Sequence, residues 1–286
     1  MKEYRTFILS SYKDIINVYG HTVSKEERIE KLAKDLNIKS KKFRTNSLMY
    51  ISVEYGTNQY EDLEREAEKW GFHIHELTYF IECTKKEVDM ADYFVLNLGI
   101  YGKEDYTEGY QTEYIDLYCN ECGNHYLIPK GECYIKKTEF RGKDIATSML
   151  GNVEILVSDV VKNLIQSNNL SGVEFFKAHH YNNKIKNDFN VWRMAVVNTL
   201  PPIESGMTVV YEDGYCSACK KHHVHPLSYV RYKKEVIHNA LDFNLSCEFF
   251  GSGWYGSPKL IVSKKVYNMI RDNKINGCKF EIVGSV

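Results

Sequence analysis

The sequence predicts an α+β chain: an N-terminal α/β unit (residues 1–85) followed by two tandem αβ repeats, 86–182 and 183–286, related by a pseudo-twofold. Three observations lead there. The N-terminal region alternates strand-like and helix-like patterns. A word of tyrosines, aspartate and paired cysteines occurs twice at one offset, and a word of Val-Ser, helix and glycine occurs twice at another.

Within the first unit, Tyr4 to Ser10 reads as a strand. Ser24-Lys25-Glu26-Glu27 forms a capping box, in which the serine and the later glutamate each satisfy a free backbone N–H. It opens a helix with Ile29, Leu32, Ala33 and Leu36 on one face. Leu48 to Val53 is a second strand. A second helix carries Tyr60, Leu63, Ala67 and Trp70 and stops at Gly71, suited to the left-handed position after a helix. His73 to Ile81 closes a β-α-β-α-β order. The basic run from Lys39 to Arg44 reads as a solvated connection, with phosphate contact the functional alternative.

The repeat is the strongest organisational signal. Tyr114-x-Asp116-x-Tyr118-Cys119-x-x-Cys122 recurs as Tyr211-x-Asp213-x-Tyr215-Cys216-x-x-Cys219 at an offset of 97, which Gly109 and Gly206 also obey. Val157-Ser158, Val161, Asn163, Ile165, Asn168, Gly172 and Phe175 recur as Val262-Ser263, Val266, Asn268, Ile270, Asn273, Gly277 and Phe280 at an offset of 105. The extra residues of the second copy fall around the glycine-rich stretch 251–256. Each copy reads as an apolar strand (Tyr93 to Leu98, Val191 to Val197), the cysteine word, and a strand (Val153 to Val157, Leu260 to Val262). A serine-capped helix follows, then a glycine turn and a final strand ending near Phe176 or Ile282.

A C-x-x-C pair on a tight turn presents two thiolates to one cation, and two such pairs complete a closed tetrahedral zinc site. Cys119, Cys122, Cys216 and Cys219 are therefore the expected metal ligands, and repeats packed about a twofold axis would let one structural zinc ion serve both pairs. Two separate ions, completed by His125 and by His222, His223 or His225, are the alternative. A redox pair fits less well, since neither pair opens a helix after a strand, and plain buried thiols are the remaining reading. Cys83, Cys133, Cys247 and Cys278 lack paired spacing and read as packing residues.

With 43% hydrophobic residues, the 286-residue chain can bury a sizeable core. A net charge of -1 gives no general attraction to nucleic acid or an anionic membrane. No apolar run is long enough to span a bilayer, and Met1-Lys2-Glu3-Tyr4-Arg5 lacks a signal-peptide core, so a cytoplasmic protein without a membrane partner is expected. In that reducing compartment eight cysteines are poor evidence for disulfides, and the two C-x-x-C pairs point instead to metal. No G-x-S-x-G elbow, phosphate-binding glycine loop or H-E-x-x-H is present, so catalytic residues are not assigned. His179-His180 and the histidines after the second pair read as exposed polar residues.

Cys119-Asn120-Glu121-Cys122-Gly123, the later Cys216-Ser217-Ala218-Cys219 and the closing Val-Ser, helix, glycine and aromatic strand resemble the double-CXXCG motif proteins over about residues 90 to 286. That group is associated with bacterial immunity proteins. Lys220 departs from the motif, which has glycine there. The resemblance implies a non-catalytic binding protein with a protein partner such as a toxin, acting in toxin neutralisation or defence. A nucleic-acid-binding zinc protein is the alternative, disfavoured by the neutral charge, and a hydrolase assembled from the histidines is a second.

Overall fold

This computed structural model of the chain describes residues 2–10, 15–18, 21–42, 49–54, 57–69, 72–100, 113–123, 125–130, 133–135, 140, 142–148, 151–180, 190–204, 210–219, 221–225, 229–250 and 257–285. Two compact units result, Met1–Val88 with Leu227–Tyr229, and Asp89–Pro226 with Val230–Val286. The architecture is mixed α+β, mostly strands, with six helices among the described residues. None of these helices is long and apolar enough to cross a membrane.

The first unit runs β1 (Lys2–Ser10), β2 (Ile15–Val18), β3 (His21–Ser24), α1 (Lys25–Asp35), β4 (Lys39–Lys42), β5 (Met49–Glu54), α2 (Asn58–Lys69) and β6 (His73–Glu82). Its sheet has the order β4-β5-β1-β6 with every neighbouring pair antiparallel. The three strands expected from sequence are present, as are both helices. The β2–β3 hairpin was not expected, and Lys39–Lys42 is a sheet edge rather than a connection. Lysines suit an edge strand because their charge discourages further pairing. Helical spacing buries Ile29, Leu32 and Ala33 of α1 and Leu63 and Ala67 of α2 against Phe7, Ile51 and Val53. Asn37, at φ 53°, ends α1 with the Ile38 N–H on the Ala33 carbonyl at 2.8 Å. Trp70 and Gly71, expected at the end of α2, lie outside the described residues. After β6, α3 (Lys85–Met90) opens on a capping box, with the Glu87 N–H donating to Thr84 Oγ1 and the Thr84 N–H to Glu87 Oε2.

The second unit continues with β7 (Tyr93–Leu98), β8 (Glu113–Tyr118), β9 (His125–Lys130), β10 (Cys133–Ile135), β11 (Ile145–Ser148), β12 (Gly151–Ser158), α4 (Asp159–Ser167) and β13 (Val173–His180). Then come β14 (Val191–Val196), β15 (Val210–Cys216), β16 (Lys221–His225), β17 (Arg231–Tyr232), α5 (Lys234–His238), β18 (Phe243–Phe250), β19 (Ser257–Ser263), α6 (Lys264–Asp272), β20 (Cys278–Ile282) and β21 (Gly284–Ser285). They build two larger sheets, ordered β10-β13-β14-β12-β11 and β15-β16-β18-β19-β7-β20. β7, which precedes the first cysteine pair, lies between β19 and β20, while β14, which precedes the second, lies between β12 and β13. Each stretch thus lends its leading strand to the sheet of the other.

The positions that recur in the sequence adopt recurring geometry. Ser158 (φ -69°, ψ 162°) and Ser263 (φ -70°, ψ 164°) cap α4 and α6, accepting from the Val161 and Val266 N–H groups. Asn168 and Asn273 donate their side-chain amides to the Leu164 and Met269 carbonyls, each at 2.8 Å. These bonds explain why an asparagine recurs at that point. Val161 and Ile165 are buried, as are Val266, Met269 and Ile270, so both apolar stripes face the sheets. Different side chains finish the two helix-to-sheet contacts. Phe94 stacks on Tyr267 at 4.4 Å with Phe280 edge-on, whereas Lys162 and Lys177 lie over the Trp192 ring.

The junction between the two stretches is reciprocal. The Ser171 N–H and hydroxyl donate to Asp242 Oδ2, each at 2.9 Å, and the Asn276 N–H donates to Asp144 Oδ2 at 3.1 Å. Partial burial works against the Asp242 carboxylate, but the bonds from Ser171 and Ser263 outweigh it and hold its carboxyl below the usual range. Gly172 and Gly277 have φ of 96° and 97°. A Cβ on Gly172 would strike the Phe243 carbonyl, and one on Gly277 the Ile145 carbonyl. Gly172→Ala and Gly277→Ala should therefore each cost about 3 kcal/mol or more, because left-handed backbone and backbone overlap act together. Chemical denaturation of the two variants checks this, and equal, severe losses are expected.

Glu248 is fully buried in β18, with Oε1 accepting from the Ile203 N–H at 2.5 Å. Burial pushes its carboxyl up, only partly offset by that bond and by Tyr232. A carboxyl raised in the folded state adds stability below its unfolded pKa of about 4.5 and loses it as pH rises through the folded value. Glu248→Gln keeps an acceptor for Ile203 and cannot ionise. Its Tm should exceed that of the parent by a few degrees at pH 8 and lose this advantage below about pH 4.5, as thermal melts across pH would record.

Candidate metal centre

Two hairpins carry the paired cysteines. β8 and β9 pair from Glu113↔Lys130 to Tyr118↔His125, and the turn between them holds Cys119 and Cys122. β15 and β16 pair up to Cys216↔Lys221, so Cys216 ends the strand and Cys219 lies in the turn. In the first turn the Gly123 N–H donates to the Cys119 carbonyl at 2.8 Å, with Gly123 at φ 69°, a conformation glycine adopts without strain. Lys220, the departure from the motif in the second turn, lies outside the described residues.

The turns meet. Cys119 Sγ lies 3.6 Å from Cys216 Sγ, and Cys122 Sγ lies 3.8 Å from Cys219 Sγ. All four sulfurs fall within 4.8 Å of one another. Four thiolates on a tetrahedral zinc, each about 2.3 Å from the ion, stand about 3.8 Å apart, so the quartet has the dimensions and the soft donor set of one such centre. Cys119 and Cys216 are buried at 7% and 8% exposure, whereas Cys122 and Cys219 are half-buried. Ser217 Oγ donates to Glu121 Oε2 at 3.2 Å and links the turns beside the sulfurs.

Backbone N–H groups of Cys219 and Ala218 favour the Cys216 thiolate, but burial and the neighbouring sulfurs of Cys119 and Cys219 outweigh them and push the thiol up to about 11. A divalent cation held among the sulfurs would reverse that balance at Cys216 by its own charge.

Phe249 packs against the quartet and is itself buried, a residue that sequence reasoning missed. β16 pairs in parallel with β18 through His223↔Phe249, which brings the ring to the sulfurs. Nothing in the spacing of the cysteines signals this, because the contact depends on a strand pairing distant in sequence. The side chains of His125, His222, His223 and His225 lie outside the described ones. His179 stands in β13 with its ring 5.6 Å from that of Tyr134, and it is not part of the quartet. Cys133 is buried and donates to Glu154 Oε1 at 3.7 Å. Cys278 is half-buried, and burial followed by the charge of Asp144 raises its thiol to about 11. Cys133 packs in an apolar cluster with Ile135 and Phe140, as a packing thiol would.

Fold and cluster together define an α+β protein with a four-cysteine site able to hold one metal ion. The model described as Immunity protein family (Imm11) matches residues 135–285, more than half of the chain, and the chain belongs to that family. The match takes in Cys216 and Cys219 but begins after Cys119 and Cys122. It therefore supports the immunity side of the resemblance and is silent on the double-CXXCG motif. No curated protein matches the chain.

Cys119→Ser and Cys216→Ser remove equivalent sulfurs from one cluster. Each should lower stability by a similar amount, about 3–5 kcal/mol. Cys133→Ser, whose hydroxyl enters the buried cluster with Glu154 still beside it as an acceptor, should cost about 1 kcal/mol. Thermal melts of the three variants, with and without a chelator, make the comparison, and chelator should leave both quartet variants nearly unmoved.

Proposed function

We propose that this chain is a non-catalytic immunity protein that neutralises a toxin by binding it, and that one structural zinc on Cys119, Cys122, Cys216 and Cys219 staples two tandem repeats across a pseudo-twofold axis. The approach of each cysteine to its counterpart, at 3.6 and 3.8 Å, carries the metal reading. A twofold arrangement brings equivalent atoms together at its axis, and the reciprocal bonds of Asp242 and Asp144 and the exchange of β7 and β14 support the same symmetry. A four-thiolate centre has no open position for water or substrate, which is why the reading is structural rather than catalytic.

Membership of the Imm11 family supports the immunity role and a protein partner such as a toxin. The protein would act in the reducing cytoplasm, where thiols remain available to metal. Neutralisation by binding requires a preformed surface, and a cross-linked pair of sheets supplies rigidity that lowers the entropy cost of association.

Two measurements test this. Elemental analysis of protein purified without chelator should find close to one zinc per chain, and a metal-free product would overturn the zinc. Affinity capture from the native cell, followed by mass spectrometry, should recover a toxin whose activity falls on titration with this chain. Recovery of only nucleic acid, released by nuclease, would overturn the binding role.

A further inference from the structure

We propose that the cysteine quartet is a redox-convertible staple, in which a peroxide-class oxidant expels the metal and leaves two disulfides, Cys122–Cys219 and Cys119–Cys216, joining the same two hairpins. The inference rests on the reading of the quartet as a metal centre and concerns how that centre responds to oxidation. Its basis is the pairing of sulfurs across the junction and the difference in exposure between the outer and the inner pair.

The chemistry begins at the half-buried pair. A Cys122 thiolate attacks hydrogen peroxide, the O–O bond breaks, and a sulfenic acid forms with release of hydroxide. The Cys219 thiolate, 3.8 Å away, then attacks that sulfur and displaces a second hydroxide, so one S–S bond forms and one peroxide is reduced by two electrons. Cys119 and Cys216 alone cannot complete a tetrahedral centre, and the ion leaves as a divalent cation. A second peroxide oxidises the inner pair in the same way across its 3.6 Å separation. Outer precedes inner because Cys119 and Cys216 are only 7% and 8% exposed.

The facing sulfurs, 3.6 and 3.8 Å apart, are placed for bonds across the junction. Each turn holds its own shape, through the Gly123 N–H on the Cys119 carbonyl and through the Ala218 and Cys219 N–H groups on Cys216 Sγ. Cross-bonding needs each facing pair to close to about 2.05 Å by side-chain rotation, while the turns stay held together by Ser217 and Glu121. The product exchanges a staple that a chelator can remove for one that it cannot.

Full-length protein, its metal content measured first, is treated with stoichiometric hydrogen peroxide while a chromophoric chelator follows release of the ion. Non-reducing peptide mapping then identifies the sulfur pairs. Complete loss of the bound zinc is expected, with peptides joined through Cys122–Cys219 appearing before those joined through Cys119–Cys216, and dithiothreitol with added zinc should restore the starting state. The oxidised protein should keep its Tm in excess chelator, whereas the reduced protein should not. Cys122→Ser should yield the Cys119–Cys216 bond alone. Peptides joined as Cys119–Cys122 or Cys216–Cys219, or sulfinic products in place of disulfides, would overturn the proposal and leave the zinc reading intact. A preparation that contains no metal removes the zinc reading instead, and the same peptide map still decides the pairing.

Discussion

The exchange of β7 and β14 is the constraint on which the second unit depends. A central strand contributes hydrogen bonds on both edges, so removing β7 would open β19 and β20 together, and removing β14 would open β12 and β13. Neither sheet is complete on its own stretch of chain. The close approach of Gly172 to Phe243 and of Gly277 to Ile145 follows from this interleaving, since each glycine turn leads into a strand that flanks a borrowed one. The meeting of the cysteine turns belongs to the same arrangement.

Much of the local structure was legible because its causes are local. Ser158 and Ser263 cap helices for the reason any serine does at that position, and Asn168 and Asn273 close the same helices through their own side chains. The cysteine quartet was legible for another reason, since two C-x-x-C pairs at one offset in two similar stretches point to a common site, and the structure brings their sulfurs within 4.8 Å. The family match supports the immunity association attached to that resemblance.

What escaped the sequence is what depends on distant pairing. An apolar run such as Tyr93 to Leu98 announces a strand and does not reveal which sheet receives it. The natural assumption was a strand kept within its own repeat, and the structure sets it beside β19 and β20. Phe249 beside the sulfurs was hidden for the same reason, as was the buried Glu248, which accepts from Ile203 45 residues earlier in the chain. Lys39–Lys42 misled in the opposite sense, because charge suggested a solvated link where the chain makes an edge strand.

The borrowed strands also bear on how the protein comes to be folded. On the ribosome β7 emerges long before β19 and β20, and its two neighbours do not exist until nearly the whole of the second unit has been made. Until then it is an apolar strand with both edges unpaired, the kind of segment that chaperones bind and that aggregates if left waiting. Closure of the sheet that receives β7 is therefore a late event of high contact order, and the yield of native protein should depend more on what shields β7 during synthesis than on the stability of the finished fold.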